Sequence, residues 1–195
     1  MNPADFDSLY RAHNDYRFRA PTDLTGAPAS IGKGLVIGSC FADGLTLEFS
    51  IPGTPRPDYI LYNAVGELPE ITQEKARSYS YQLVALALRF VCPESLIIRL
   101  PALDEAAAKK FFEESCGRML QMLHGTLRYN REYQLPAFVA NFIVPPQNHL
   151  GRLFPRASYQ NFVYVVEKLN EVLAQEIGAL TSAYIIDHYC PVIRC

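Results

Sequence analysis

The chain has 195 residues, of which 49% are hydrophobic, 12% aromatic and 19% charged. This excludes disordered, collagen-like and coiled-coil chains and suits one domain burying roughly 70% of its unfolded surface. Its 18 basic and 20 acidic side chains leave a formal charge of −2, so no positive excess argues for nucleic acid or an anionic membrane as partner.

The longest apolar runs, Leu83 to Leu88 and Phe138 to Pro146, are too short to span a bilayer. The N-terminal MNPADFDSLYRAH lacks the layout of a signal peptide, so a cytoplasmic location is expected. The five cysteines, Cys40, Cys92, Cys116, Cys190 and Cys195, form no CxxC pair and no cluster at zinc spacing. Reduced thiols, no metal and no disulfide framework are expected.

Residues 1–32 are polar and then Pro/Gly/Ala-rich, and read as a surface arm with a short helix at Asp7 to His13; residues 33–195 read as one domain. Leu35-Val36-Ile37-Gly38 is a short apolar run of the kind found in strands buried on both faces. Phe41, Leu45 and Phe49 follow at helical spacing, so Gly38-Ser39-Cys40 reads as a strand-to-helix turn. After a Pro-rich loop at 51–57, Tyr59 to Asn63 reads as a second strand, and 67–78 as loop or helix. Gln82 to Leu88 reads as a third strand, although its Ala and Leu content also suits a helix, and Ser95 to Leu100 as a short extra strand.

Asp104 can cap a helix whose apolar or small face runs through 108, 111, 112, 115, 116, 119, 122 and 123 to about Tyr129. Pro136 to Val144 reads as the fourth strand. Ser158 is the expected cap of a second long helix with a stripe of Phe162, Val165, Val166, Leu169, Val172, Leu173 and Ile177, closed by Gly178. Ala183 to Asp187 reads as the fifth strand. Buried strands alternating with amphipathic helices predict an α/β fold with a mainly parallel sheet and right-handed crossovers. Such sheets bind ligands beyond the carboxyl ends of their strands. There the chain would collect Ser39, Cys40, Asn63, Arg89, the loop 145–149 and Asp187/His188.

Ser39-Cys40 is the sharpest of these features. Backbone N–H groups and the positive end of a helix dipole at such a turn stabilise a thiolate or an oxyanion. Cys40 is then either an acyl-accepting nucleophile or a small residue packed under the first helix. Asn63, before Ala64-Val65-Gly66, either donates an amide N–H to an oxyanion or is a turn residue. Arg89 either clamps a carboxylate or phosphate or makes a surface salt bridge. Gln147-Asn148-His149 either lines the pocket or is a solvated loop. Asn141 reads as a satisfied amide, and His13 and His124 as structural. Asp187 and His188 are neighbours on a strand and point to opposite faces, so only one faces the crevice, and Asp187 is the better placed. Dinucleotide, P-loop and GxSxG signatures are absent.

Val36-Ile37-Gly38-Ser39-Cys40-Phe41-Ala42 resembles the first block of the SGNH/GDSL hydrolase superfamily, and within it the variant branch named for its GSCFA motif. In that overlay Cys40 takes the nucleophile's place and Ser39 that of the block's aspartate. Asn63-Ala-Val-Gly66 is similar to the second block, which implies an oxyanion N–H from Gly66. The run from Leu88-Arg89 through Asn130-Arg-Glu, Phe138 to Pro146 and Leu169-Asn170 to Tyr184-Ile-Ile-Asp187 resembles the SGNH-like domain that precedes HAD-type domains in polyketide and glycan assembly proteins. Together these stretches cover roughly 33–188.

The resemblance implies a flavodoxin-like α/β/α domain with a five-stranded parallel sheet in order 2-1-3-4-5. It also implies cofactor-free esterase or O-acyltransferase chemistry on an acylated glycan or similar small ester, with Gly38, Asn63, Gly66, Arg89, Gln147 and His149 as binding residues. Two departures stand out. The third block's Asn is replaced by Leu88-Arg89-Phe90, and the chain reaches Cys195 with no Asp-x-x-His. The expected domain therefore lacks its C-terminal catalytic block and is truncated, leaving His188 or His149 as base. It also leaves the last strand uncovered, which implies a partner, a homodimer through that strand or poor solubility. The alternative is a catalytically incomplete binding or scaffolding domain.

Overall fold

The computed structural model describes residues 32–48, 55–64, 66–97, 104–147 and 153–186, all within the unit Ile31–Cys195. The elements are β1 (Gly34–Gly38), α1 (Cys40–Glu48), β2 (Asp58–Leu61), α2 (Gln73–Arg77), β3 (Tyr81–Ala85), α3 (Leu88–Val91) and α4 (Glu94–Ile97). They continue with α5 (Glu105–Thr126), α6 (Arg128–Tyr133), β4 (Ala137–Ala140), α7 (Phe162–Gly178) and β5 (Ala183–Ile186). The five strands form one sheet in order β2-β1-β3-β4-β5, with every neighbouring pair parallel. This is a three-layer α/β fold.

Strand parity divides the core. Leu35, Ile37, Val84, Ala137, Val139 and Ala183 face one way and pack with Met119 and Leu123 of α5 and Val165, Leu169 and Leu173 of α7. Val36 and Leu83 face the other way and pack with Ala42 of α1, bordered by Tyr59, Tyr81, Phe138 and Ile186. On this second face Phe138 stacks on Tyr184, with ring centroids 5.6 Å apart, and Tyr184 is 54% exposed.

The long helices follow their sequence signals. Asp104 caps α5 by accepting the Ala107 N–H at 2.9 Å. Its face Ala108, Phe111, Ser115, Met119, Met122 and Leu123 is buried. In α7, Val165, Val166, Leu169, Leu173 and Ile177 are buried. Asn170 on the same helix grips the chain just after β4: its Oδ1 accepts the Phe142 N–H at 2.8 Å and its Nδ2 donates to the Phe142 carbonyl at 2.8 Å. At the other end of the sheet Asp58 collects Lys33 at 2.6 Å, Lys75 at 3.0 Å and the Tyr79 hydroxyl at 2.6 Å.

Several expected boundaries move. The third strand stops at Ala85, and 88–91 is a helical turn. The ladder explains this: Ala85 pairs with Gly38, and beyond Gly38 the chain has already turned into α1, so Leu86 has no β1 partner. Residues 94–97 are a helical turn in place of the extra strand. The fourth strand ends at Ala140, opposite Ile186, four residues before Val144. Asn161, not Ser158, caps α7 through the Val163 N–H, while the Ser158 hydroxyl accepts the Gln160 N–H. Gly178 is the last helical residue, followed by Ala179 as the cap. The arm 1–31, residues 98–100 and Asp187 lie outside the described residues.

Candidate active site

The turn after β1 is built by close approach. A Cβ on Gly38 would lie 2.5 Å from the Ala85 carbonyl oxygen of β3 and 2.8 Å from the Ala42 Cβ of α1. Glycine at 38 therefore lets β3 and the first turn of α1 close on the end of β1. The Ser39 carbonyl accepts the Ala42 N–H at 2.7 Å, and the Gly38 carbonyl accepts the Tyr62 N–H at 2.7 Å. Tyr59, on the α1 face of β2, donates its hydroxyl to Ser39 O at 2.8 Å, with Gly38 O at 3.2 Å. Burial, and then the charges of Asp43 and Cys40, push the Tyr59 phenol above its ordinary value, so it stays a neutral donor at neutral pH.

This turn buries Ser39 (3% exposed) and presents Cys40, the first residue of α1, at the surface. The packed alternative for Cys40 is thereby corrected, and its neighbour is the small residue tucked under the helix. The Arg89 Nη2 approaches the Cys40 Sγ to 3.5 Å. Arg89 belongs to α3 rather than to a strand end, and its guanidinium also sits 5.0 Å from the centroid of the Phe90 ring. A guanidinium thus stands beside the thiol of the first residue of α1.

Asn63 follows β2 at the same carboxyl end. Its Oδ1 is buried and meets no hydrogen-bond donor among the described residues. Gly66 forms a closed loop with Tyr62: the Tyr62 hydroxyl donates to the Gly66 carbonyl at 2.7 Å, and the Gly66 N–H reaches the same oxygen at 3.3 Å. Gly125 of α5 permits this closure, because a Cβ there would run into Tyr62 Oη and Gly66 O. Gln147 is exposed beyond Pro145-Pro146.

The structure therefore brings Cys40 and Arg89 together over a buried Gly38-Ser39 turn. Among the described residues no hydrogen bond links Asn63, Gly66 or Gln147 to Cys40. His149, Asp187 and His188 lie outside the described residues. Tyr59 was not legible as a site residue, because a tyrosine on a strand gives no sign that its hydroxyl reaches the end of the neighbouring strand. The pairing of Tyr59 with Val36 is what sets it on the α1 face.

Of the other described cysteines, Cys92 is buried and Cys116 half-buried. Burial, then Cys92 and Glu113, push the Cys116 thiol up to about 11, and burial raises that of Cys92. Among the described residues no group of His, Cys, Asp and Glu could hold a metal ion, and no helix is long and apolar enough to cross a membrane. No family model matches the chain, and no curated protein matches it.

Proposed function

We propose that the chain is an SGNH-like esterase or O-acyltransferase that acts on an acylated glycan or similar small ester, with Cys40 as nucleophile. The observation that supports this reading is the exposed Cys40 thiol at the start of α1, 3.5 Å from the Arg89 guanidinium. The thiolate would attack the acyl carbonyl, and the carbonyl electrons would collapse back to expel the alcohol. A C–S bond forms and the C–O ester bond breaks, with the departing alkoxide taking up a proton. Water or an acceptor hydroxyl would then cleave the thioester and free the thiol. The Cys40 N–H at the helix N-terminus and Arg89 would stabilise the oxyanion, with Asn63 and Gly66 as further donors. The sequence candidates for the proton carrier are His149 and His188, with Asp187 beside the latter.

A second reading, a binding or scaffolding domain without catalysis, is favoured by one observation: the Gly66 N–H is engaged by the Tyr62 hydroxyl. The test is acylation by p-nitrophenyl acetate, with each modified residue mapped by mass. The esterase reading expects an acetyl group on Cys40, lost in Cys40→Ala and slowed about tenfold or more in Arg89→Gln. Acetylation scattered over lysines and other cysteines, and indifferent to Arg89, supports the binding domain instead.

A further inference from the structure

A concavity lies at the end of the sheet opposite Cys40, the amino end, where the chain enters β4 and β5. It has a volume of about 410 Å³ and is lined by Asn130, Arg131, Gln134, Leu180, Thr181 and Ser182 among others. That is the size range of small-molecule sites.

Its base is Asn130 of α6, only 5% exposed. The Asn130 Nδ2 is spent on three main-chain carbonyls: Leu135 at 2.9 Å, Ser182 at 3.3 Å and Thr181 at 3.4 Å. It thus ties the two strand-entry loops together, while among the described residues its Oδ1 receives no hydrogen bond. An amide oxygen has two acceptor sites, so the Asn130 Oδ1 is open to an O–H or N–H from a ligand. Beside it Arg131 is tethered by one bond, Nη2 to the His124 carbonyl at 2.7 Å, and no carboxylate among the described residues pairs with it. Both lips of the cavity carry a non-glycine residue in the left-handed region, Gln134 and Ser182, each at φ 56°. Gln134 is the left-handed cap that ends α6, and the Ser182 carbonyl is one of those the Asn130 amide holds.

The site therefore presents a guanidinium for an anion, an amide oxygen as acceptor for an O–H, side-chain hydroxyl and amide groups on Thr181, Ser182 and Gln134, and an apolar wall at Ala179 and Leu180. We infer that this cavity binds a small polyhydroxy carboxylate of sugar-acid size, with the carboxylate on Arg131 and a hydroxyl donating to Asn130 Oδ1. The apolar wall suits the C–H face of such a ring. The site is separate from Cys40 and does not depend on the esterase reading.

The test is a titration of the whole chain with D-glucuronate, followed by amide chemical shifts, with D-glucose as the uncharged comparator. Saturable shifts confined to residues 130–136 and 179–183 are expected, with a dissociation constant below about 1 mM. Glucose should bind about tenfold or more weaker. Arg131→Gln, at an exposed position, should weaken glucuronate to the same degree. Any of three results would overturn the proposal: no saturable shift up to about 10 mM, glucose binding as well as glucuronate, or binding indifferent to Arg131. The glucuronate-versus-glucose comparison needs no variant, so it decides the matter even if Arg131→Gln does not fold.

Discussion

Gly38→Ala tests the close approach on which the candidate active site rests. The added methyl would meet the Ala85 carbonyl oxygen at 2.5 Å and the Ala42 Cβ at 2.8 Å. Ordinary contacts to a carbon need about 3.4 Å or more, so β1 must retreat by close to an ångström from a main-chain atom that cannot swing aside. Gly38 is itself buried and pairs on both sides, with Leu61 and with Ala85, so the retreat strains two ladders. Overpacking of a rigid site costs about 1–3 kcal/mol, and two backbone-level contacts place this variant near 3 kcal/mol. Urea unfolding monitored by circular dichroism should show that loss as a lower midpoint at unchanged slope. Adding Ala42→Gly removes one of the two contacts but not the Ala85 carbonyl. The double variant should therefore be less destabilised than the sum of the singles by about 1 kcal/mol. The same samples should show slower acetylation of Cys40, because the turn that presents it has moved. A Gly38→Ala protein within about 0.5 kcal/mol of wild type, with Cys40 reacting at the same rate, would refute the argument that glycine is required to build this turn.

Tyr59→Phe removes the hydroxyl from the Ser39 and Gly38 carbonyls, but each keeps an N–H donor, from Ala42 and Tyr62 respectively. The cost should stay near 1 kcal/mol while Cys40 acetylation slows several-fold; a stability loss without a rate change would leave Tyr59 merely structural. Asn170→Leu strips both partners from the Phe142 main chain and should cost about 2–3 kcal/mol in urea unfolding. Asp58 is held well below the usual carboxylate range, first by Lys33, then by Tyr79 and, after the opposing cost of burial, by Lys75. Its stabilisation is therefore present above an unfolded pKa of about 3.9 and is lost as pH falls toward the depressed folded value. Asp58→Asn should be about 1 kcal/mol less stable than wild type at pH 7, solvent screening included, with the gap closing progressively below about pH 4. Cys116, raised to about 11, works in the opposite direction. Unfolded thiols ionise near 8.5, so stability should fall as pH rises above that value, and Cys116 should resist iodoacetamide in the folded protein at pH 8 while Cys40 reacts.

Much of the architecture was already written in local pattern. The 3.6-residue apolar stripes of α5 and α7 and the Asp104 cap are properties of single segments, as are the short apolar cores of β1, β3, β4 and β5. An alternation of such segments leaves a parallel sheet as the arrangement that buries both strand faces. The Gly38-Ser39-Cys40 turn was legible for the same reason, since a buried strand, a glycine and a helical stripe succeed one another within a few residues.

The ends of the strands were decided elsewhere. Leu86 and Leu88 are as apolar as Leu83, yet β3 stops at Ala85 because β1 has left the sheet, and β4 stops at Ala140, opposite the last residue of β5. A ladder ends where its neighbour ends, and no property of the strand's own residues records that. The same holds for the site. Which of Ser39 and Cys40 is buried depends on how α1 seats against Ala85 and Tyr59, and the meeting of Arg89 with Cys40 joins residues forty-nine positions apart in the chain. Local periodicity settled which elements form. Contacts between elements distant in sequence settled where they end, that Cys40 reaches the surface and which cation stands beside it.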